Sequence, residues 1–153
     1  MAVNRAILTA PPGAVFAVLS DPGTYADFVV GTKRIRRFEP TWPEVGSVFH
    51  HTLGVGPFIL RDLTRVVEVE EGRRLVLRAH MGPLCVNRVA FSLHPAGQGT
   101  EVEVEEHAVD GPLAKLWNAA FDAVMRLRNA VMLRRLDTVA ARRWERQSRA
   151  HPR

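Results

Sequence analysis

From Leu113 to about Trp144 the chain contains neither glycine nor proline. No other stretch constrains the fold as much. Read as a helix, roughly 30 residues rising 1.5 Å each span on the order of 45 Å. A helix of that length needs an equally long apolar surface against its hydrophobic side. The chain before it supplies strands. The segments "GTKRIRRFEP" (31–40), "GSVFHHTLG" (46–54), "FILRDLTRVVEVEE" (58–71), "RLVLRAHMG" (74–82), "LCVNRVAFSLHP" (84–95) and "TEVEVEEHAV" (100–109) have strand composition. They are separated by "GVGP", "EEGRR", "GP" and "AGQG", short connections suited to antiparallel hairpins. Consecutive strands without crossover helices imply an antiparallel sheet.

At the front, "VNRAILTA" (3–10) reads as another strand. "PPGAVFAVLSD" (11–21) follows as a helix begun by its prolines, and "PGTYADFVV" (22–30) as a second short helix entered through Asp21-Pro22. Asp110-Gly111-Pro112 opens the last helix. The order is strand, two short helices, six strands, one long helix. It predicts an α+β fold in which a curved antiparallel sheet of about seven strands wraps a long C-terminal helix.

A chain of 153 residues, 46% hydrophobic, suits a single domain with a sizeable core. We read residues 1–146 as that domain and 147–153 as a flexible basic tail. The single cysteine, Cys85, has no partner for an internal disulfide, and no CxxC or HExxH spacing occurs, so no metal and no cofactor is expected. "MAVNRAILTAPPG" lacks the apolar run of a signal peptide or membrane span, and a cytoplasmic location is the default. The net charge is +5. Residues 126–153 hold nine arginines against Asp137 and Glu145, whereas residues 1–125 hold 12 basic and 14 acidic residues. A basic C-terminal end suits anionic lipid or nucleic acid. Trp144 is the one aromatic residue interleaved with these arginines, so a solvated helix face is the preferred reading and nucleic acid is not an expected partner. Contact with a membrane surface is a lesser alternative, and a homodimer stays open.

The segments "PPGAVFAVLSDPGTYADFV", "VGSVFHHTLGVGP", "RVVEVEEGRRLVLRA" and "GTEVEVEE", followed by the long helix, together cover nearly the whole chain. In this order and spacing the sequence resembles the START/Bet v 1-like (SRPBCC) superfamily, in its polyketide cyclase/dehydrase-like group of small bacterial proteins. The resemblance implies a helix-grip fold with a cavity between sheet and helix, occupied in characterised branches by small apolar molecules such as lipids, sterols or polyketides. It does not imply a reaction, since one such fold hosts many activities.

Strand alternation then selects the residues that face such a cavity. Phe49, His51 and Leu53 share one face, with His50 pointing away. Leu75, Leu77, Ala79 and Met81 share another, with Arg78 and His80 opposite. Cys85, Asn87, Val89, Phe91 and Leu93 form a third set. Val102 and Val104 are joined in register by Glu106, while Glu101, Glu103 and Glu105 face solvent. Segment 58–71 allows two registers: one brings Arg61 and Arg65 inward, the other Asp62 and Thr64. A bulge would switch between them.

Counted at 100° per residue from Leu113, the helix's apolar face centres on Leu113, Trp117, Ala120, Val124, Leu127 and Val131, with Phe121 and Met132 beside them. Asp122, Lys115, Arg126 and Leu133 fall opposite. Arg128 lies among the apolar positions, and so does Arg135, which has room to snorkel near the helix end. An unpartnered buried guanidinium is very costly. Glu106, or Asp62 in one register, is its natural partner, and a ligand's anionic group is the other candidate.

Other chemistry is weak. Cys85 reads as a small strand residue. "GVGP" lacks the third glycine and the helix of a dinucleotide loop. His50 and His51 diverge from adjacent strand positions and do not ligate one metal. The expected function is binding of a small, largely hydrophobic ligand, lipid- or polyketide-like. Phe49, Leu53, Leu77, Phe91, Trp117, Phe121 and Val124 form the apolar wall, and His51, Asn87, Glu106 and Arg128 fix a polar group. One alternative is a polyketide cyclase, aromatase or dehydratase using Glu106, Arg128 or His51 as acid, base or orienting groups. Another is an interaction module using the basic helix.

Overall fold

The computed structural model describes residues 1–151. Seven strands form one antiparallel sheet: β1 (Ala2–Leu8), β2 (Thr32–Phe38), β3 (Val48–Val55), β4 (Phe58–Glu70), β5 (Arg74–Met81), β6 (Cys85–Ala96) and β7 (Gly99–Asp110). Their spatial order is β1-β7-β6-β5-β4-β3-β2. Strands β2 to β7 thus run as a meander, and β1 returns to pair with β7, Ala2 opposite Glu106 and Leu8 opposite Thr100. Helix α1 (Pro12–Leu19), a single 3-10 turn (Pro22–Thr24) and helix α2 (Tyr25–Phe28) follow β1. Asp21 caps the 3-10 turn, its side chain accepting from the Gly23 N–H. The curved sheet and the long C-terminal helix make the expected helix grip. The core between them is built from Leu75, Leu77, Phe91, Leu93, Val102 and Val104 of the sheet, Val15, Val18 and Leu19 of α1, and Met132, Leu133, Leu136 and Ala140 of the long helix.

The two registers open for β4 are both used, on either side of a bulge. Up to Val66 the even positions face inward, with Thr64 and Val66 buried. The pairing then shifts between Val66 and Glu68, and Val69 packs against the core. Arg61 and Arg65 consequently point outward and are exposed. Asp62 carries the inward parity, but its carboxylate is occupied by backbone: one oxygen accepts from the Leu63 N–H and the other from the Gly82 N–H.

The final helix is not continuous. Helix α3 (Pro112–Lys115) makes one turn, and α4 runs from Ala119 to Ala150. Between them Asn118 adopts extended backbone and its side chain accepts from the Phe121 N–H, an N-cap that restarts the helix. The break resets the phase counted from Leu113. Val124 and Leu127, expected at the centre of the apolar face, are 62% and 71% exposed. Leu133, expected on the solvent side, is buried. The buried face runs through Met125, Asn129, Met132, Leu133, Leu136 and Ala140, an i, i+4, i+7 pattern in the register set by Asn118. At the other end, residues 147–150 of the expected tail continue the helix. Gly111 makes the corner into α3 at φ +91°, where an added Cβ would stand 2.6 Å from the Leu84 carbonyl oxygen, so glycine is required there. Among the described residues no helix is long and apolar enough to cross a membrane.

Candidate functional site

A cavity of about 480 Å³ lies between the sheet and the first half of α4. Strand alternation supplies most of its wall. Phe49 and Leu53 come from β3, Leu77 and Ala79 from β5, and Val89 and Phe91 from β6. Phe121, Met125 and Met132 close it from α4, and Val29 and Val30 from the segment after α2. Nine of the eleven residues expected at the site line it: Phe49, His51, Leu53, Leu77, Asn87, Phe91, Glu106, Phe121 and Arg128.

The other two do not, and the helix break is the reason. Val124 turns to solvent. Trp117 precedes the α4 cap and packs edge-to-face on Phe121 at 4.5 Å, its indole N–H donating to Asp122 rather than reaching the cavity.

At one end of the cavity Arg128 meets Glu106, the pairing that β7 alternation and the helix position suggest. The Arg128 Nη1 lies 3.2 Å from the Glu106 Oε2. The two partners are unequally buried: the Glu106 side chain is 3% exposed and that of Arg128 27%. The Asn87 amide donates to the Glu106 Oε1 at 2.8 Å. The rest of the guanidinium is held by backbone, Nε and Nη2 donating to the Val30 carbonyl oxygen at 3.2 and 3.0 Å. All three nitrogens of Arg128 therefore have protein acceptors, and its charge is matched by Glu106. The polar end presents a neutral pair at the cavity wall, not a free cation awaiting an anion. Asn129, fully buried on α4, backs the pair with its Oδ1 3.5 Å from the Arg128 Nη1.

A second polar point is His51 on β3. Its Nε2 is 3.0 Å from the Thr64 hydroxyl on β4, and both side chains line the cavity. Burial is the main influence on the ring and pushes its pKa below the ordinary 6.5, with the Asp62 charge pulling the other way. Burial of this kind favours the neutral imidazole. Tyr25 also lines the cavity, but its hydroxyl donates to the Leu19 carbonyl at 2.7 Å and burial pushes its pKa upward, so it is not poised as an acid. Cys85 lies 3.3 Å from the Asn87 Oδ1. Burial, aided by the Glu106 charge, raises its pKa and keeps it a thiol, a poor nucleophile. Among the described residues no group of three His, Cys, Asp or Glu side chains is placed to hold a metal ion.

Sequence reasoning missed Asn129, Met125, Tyr25 and the Val30 carbonyl. The first two fall on the buried side once α4 is counted separately from α3, in phase with its own apolar positions Met132, Leu133, Leu136 and Ala140. The carbonyl carries no side-chain signal.

No family model matches the chain, and no curated protein matches it in sequence. Solved structures do match in fold. Protein CV1439 from Chromobacterium violaceum superposes with a TM-score of 0.70 at 15% identity, covering 90% of this chain and 94% of that one. The Zhui aromatase/cyclase from Streptomyces sp. R1128 gives 0.68 at 16% identity, over 92% and 93% of the two chains. The di-domain ARO/CYC StfQ from the steffimycin biosynthetic pathway gives 0.70 at 14% identity, over 94% of this chain and 51% of its own. The chain has the helix-grip fold of the START/Bet v 1-like proteins.

Proposed function

We propose that this protein binds a small, largely hydrophobic ligand, lipid- or polyketide-like, inside the cavity between the sheet and α4. The observation that carries this reading is the cavity itself. It is about 480 Å³, within the usual range for ligand sites, with an apolar wall and a few convergent polar groups. The Glu106–Arg128 pair is neutral overall, and His51 favours its uncharged form. Both suit a hydroxyl, ketone or phenol on an uncharged ligand better than a carboxylate, which would have to displace Glu106 from Arg128. The test is titration with the neutral apolar fluorophore N-phenyl-1-naphthylamine. Saturable enhancement that disappears in Ala79→Trp, where the indole fills the cavity, supports the reading. Enhancement unaffected by Ala79→Trp places the probe elsewhere and refutes it.

A polyketide cyclase or dehydratase is the second reading. It is favoured by the two polar points at the cavity wall and by the likeness to the Zhui and StfQ folds. In that case His51, whose neutral ring can accept a proton, is the candidate base, and Glu106–Arg128 orients a ketone. Cyclised product from a poly-β-ketone thioester, formed by the wild type and not by His51→Ala, would distinguish catalysis from binding alone.

A further inference from the structure

Arginines meet across neighbouring strands on the outer face of the sheet, away from the cavity. Arg65 of β4 is the register partner of Arg78 of β5, Arg78 of Arg88 of β6, and Arg88 of His107 of β7. Strands lie about 4.8 Å apart, so the three guanidinium groups rise from a strip about 10 Å wide. The same face carries Arg61 opposite Thr52, and Arg34 and Arg37 of β2 opposite Thr52 and His50.

Like charges directly opposite each other destabilise a sheet. Among the described residues Arg61, Arg65, Arg78 and Arg88 make no ion pair with any acidic side chain. Glu68, on the outer face beyond the β4 bulge, is taken by Arg74. Glu103 of β7 is taken by Arg5, and Glu105 sits one row away, opposite Ala90. Residues 1–125 are slightly acidic in total, so only the folded sheet collects these cations on one surface.

We propose that this outer face docks on an anionic lipid surface. The arginine row lies against the phosphate headgroups, and the β3–β4 hairpin tip enters the interface. Two observations favour lipid over nucleic acid. The outer-face positions of β4 to β7 carry no Phe, Tyr or Trp, the large rings on which bases stack best. At the hairpin end the outer face carries Ile59, 58% exposed, and Phe58 on the opposite face is 79% exposed, so the tip is apolar on both sides, a composition suited to the headgroup–acyl boundary. Phe58 and Leu60 also border the cavity, so docking brings an apolar ligand's exit close to the lipid.

The test is cosedimentation of the full chain with phosphatidylglycerol vesicles and, separately, with phosphatidylcholine vesicles. Binding is expected to the anionic vesicles only and to weaken as salt is raised. The triple substitution Arg65→Ser, Arg78→Ser, Arg88→Ser is expected to lower it on the order of a hundredfold. It should leave the thermal midpoint equal or higher, because the like-charge row is relieved. No binding to phosphatidylglycerol vesicles, or binding unchanged in the triple variant, overturns the proposal. Salt-sensitive binding of a DNA duplex through the same arginines without vesicle binding also overturns it, in favour of a nucleic-acid surface.

Discussion

Replacing Arg128 with Met removes the counter-charge of a carboxylate that is 3% exposed and leaves the Asn87 amide as its remaining hydrogen-bond donor. Breaking a fully buried ion pair from one side costs about 3–5 kcal/mol. Arg128 is itself 27% exposed, so water screens the pair and reaches part of the vacated space, lowering the expected cost to about 2–3 kcal/mol. For a chain of this size that is a fall in thermal midpoint of roughly 5–10 °C. Glu106→Gln is expected to cost less, about 1–2 kcal/mol. The substituted amide keeps an acceptor for Asn87, while Arg128 keeps the Val30 carbonyl and access to water. The double variant should recover part of the loss, with a coupling of about 1–2 kcal/mol. Urea unfolding at neutral pH measures all three through the midpoint at constant m-value. Strictly additive single costs, or an Arg128→Met cost below about 1 kcal/mol, would refute the claim that the pair is a coupled, buried unit.

Asn118→Ala removes the cap that starts α4 and is expected to destabilise by about 1 kcal/mol in the same urea assay. Gly111→Ala forces a Cβ to 2.6 Å from the Leu84 carbonyl oxygen at a positive φ and is expected to cost about 2 kcal/mol or more, read from the thermal midpoint. The folded-state pKa of His51 is depressed below 6.5, so its contribution to stability is complete above that pH and is lost as pH falls through the folded pKa. Unfolding midpoints measured across this window should decline on acidification, and His51→Gln should flatten the decline. Removing residues 147–153 should leave N-phenyl-1-naphthylamine binding unchanged, since the cavity wall is complete by Met132.

Strand alternation made the sheet side of the cavity readable. In β3, β6 and β7 one side of each strand must be apolar to bury, so Phe49, Asn87, Phe91 and Glu106 fell on the correct face from parity alone. The polar member of each inward set, His51, Asn87 or Glu106, then stood out against its neighbours. The β4 register could not be read the same way, because a bulge adds a residue without changing composition. The helix side was read less well. A stretch without glycine or proline looks continuous, yet an asparagine side chain that accepts an N–H in its place restarts the helix as effectively as a proline would. That shift of phase cost Trp117 and Val124 at the site and hid Asn129. Arg128 survived it because it lies on the edge shared by both phases. The arginine row was invisible in sequence for a different reason: Arg65, Arg78 and Arg88 are far apart along the chain and become neighbours only through strand register.

The claim that the cavity holds a small, largely apolar ligand is tested most directly by native mass spectrometry of the protein purified from its own cells, beside the Ala79→Trp variant prepared identically. The expected result is a discrete excess mass on the wild type, released on denaturation as an uncharged apolar compound and absent from a folded Ala79→Trp. The bare polypeptide mass in every wild-type preparation, together with no saturable uptake of N-phenyl-1-naphthylamine, would contradict it.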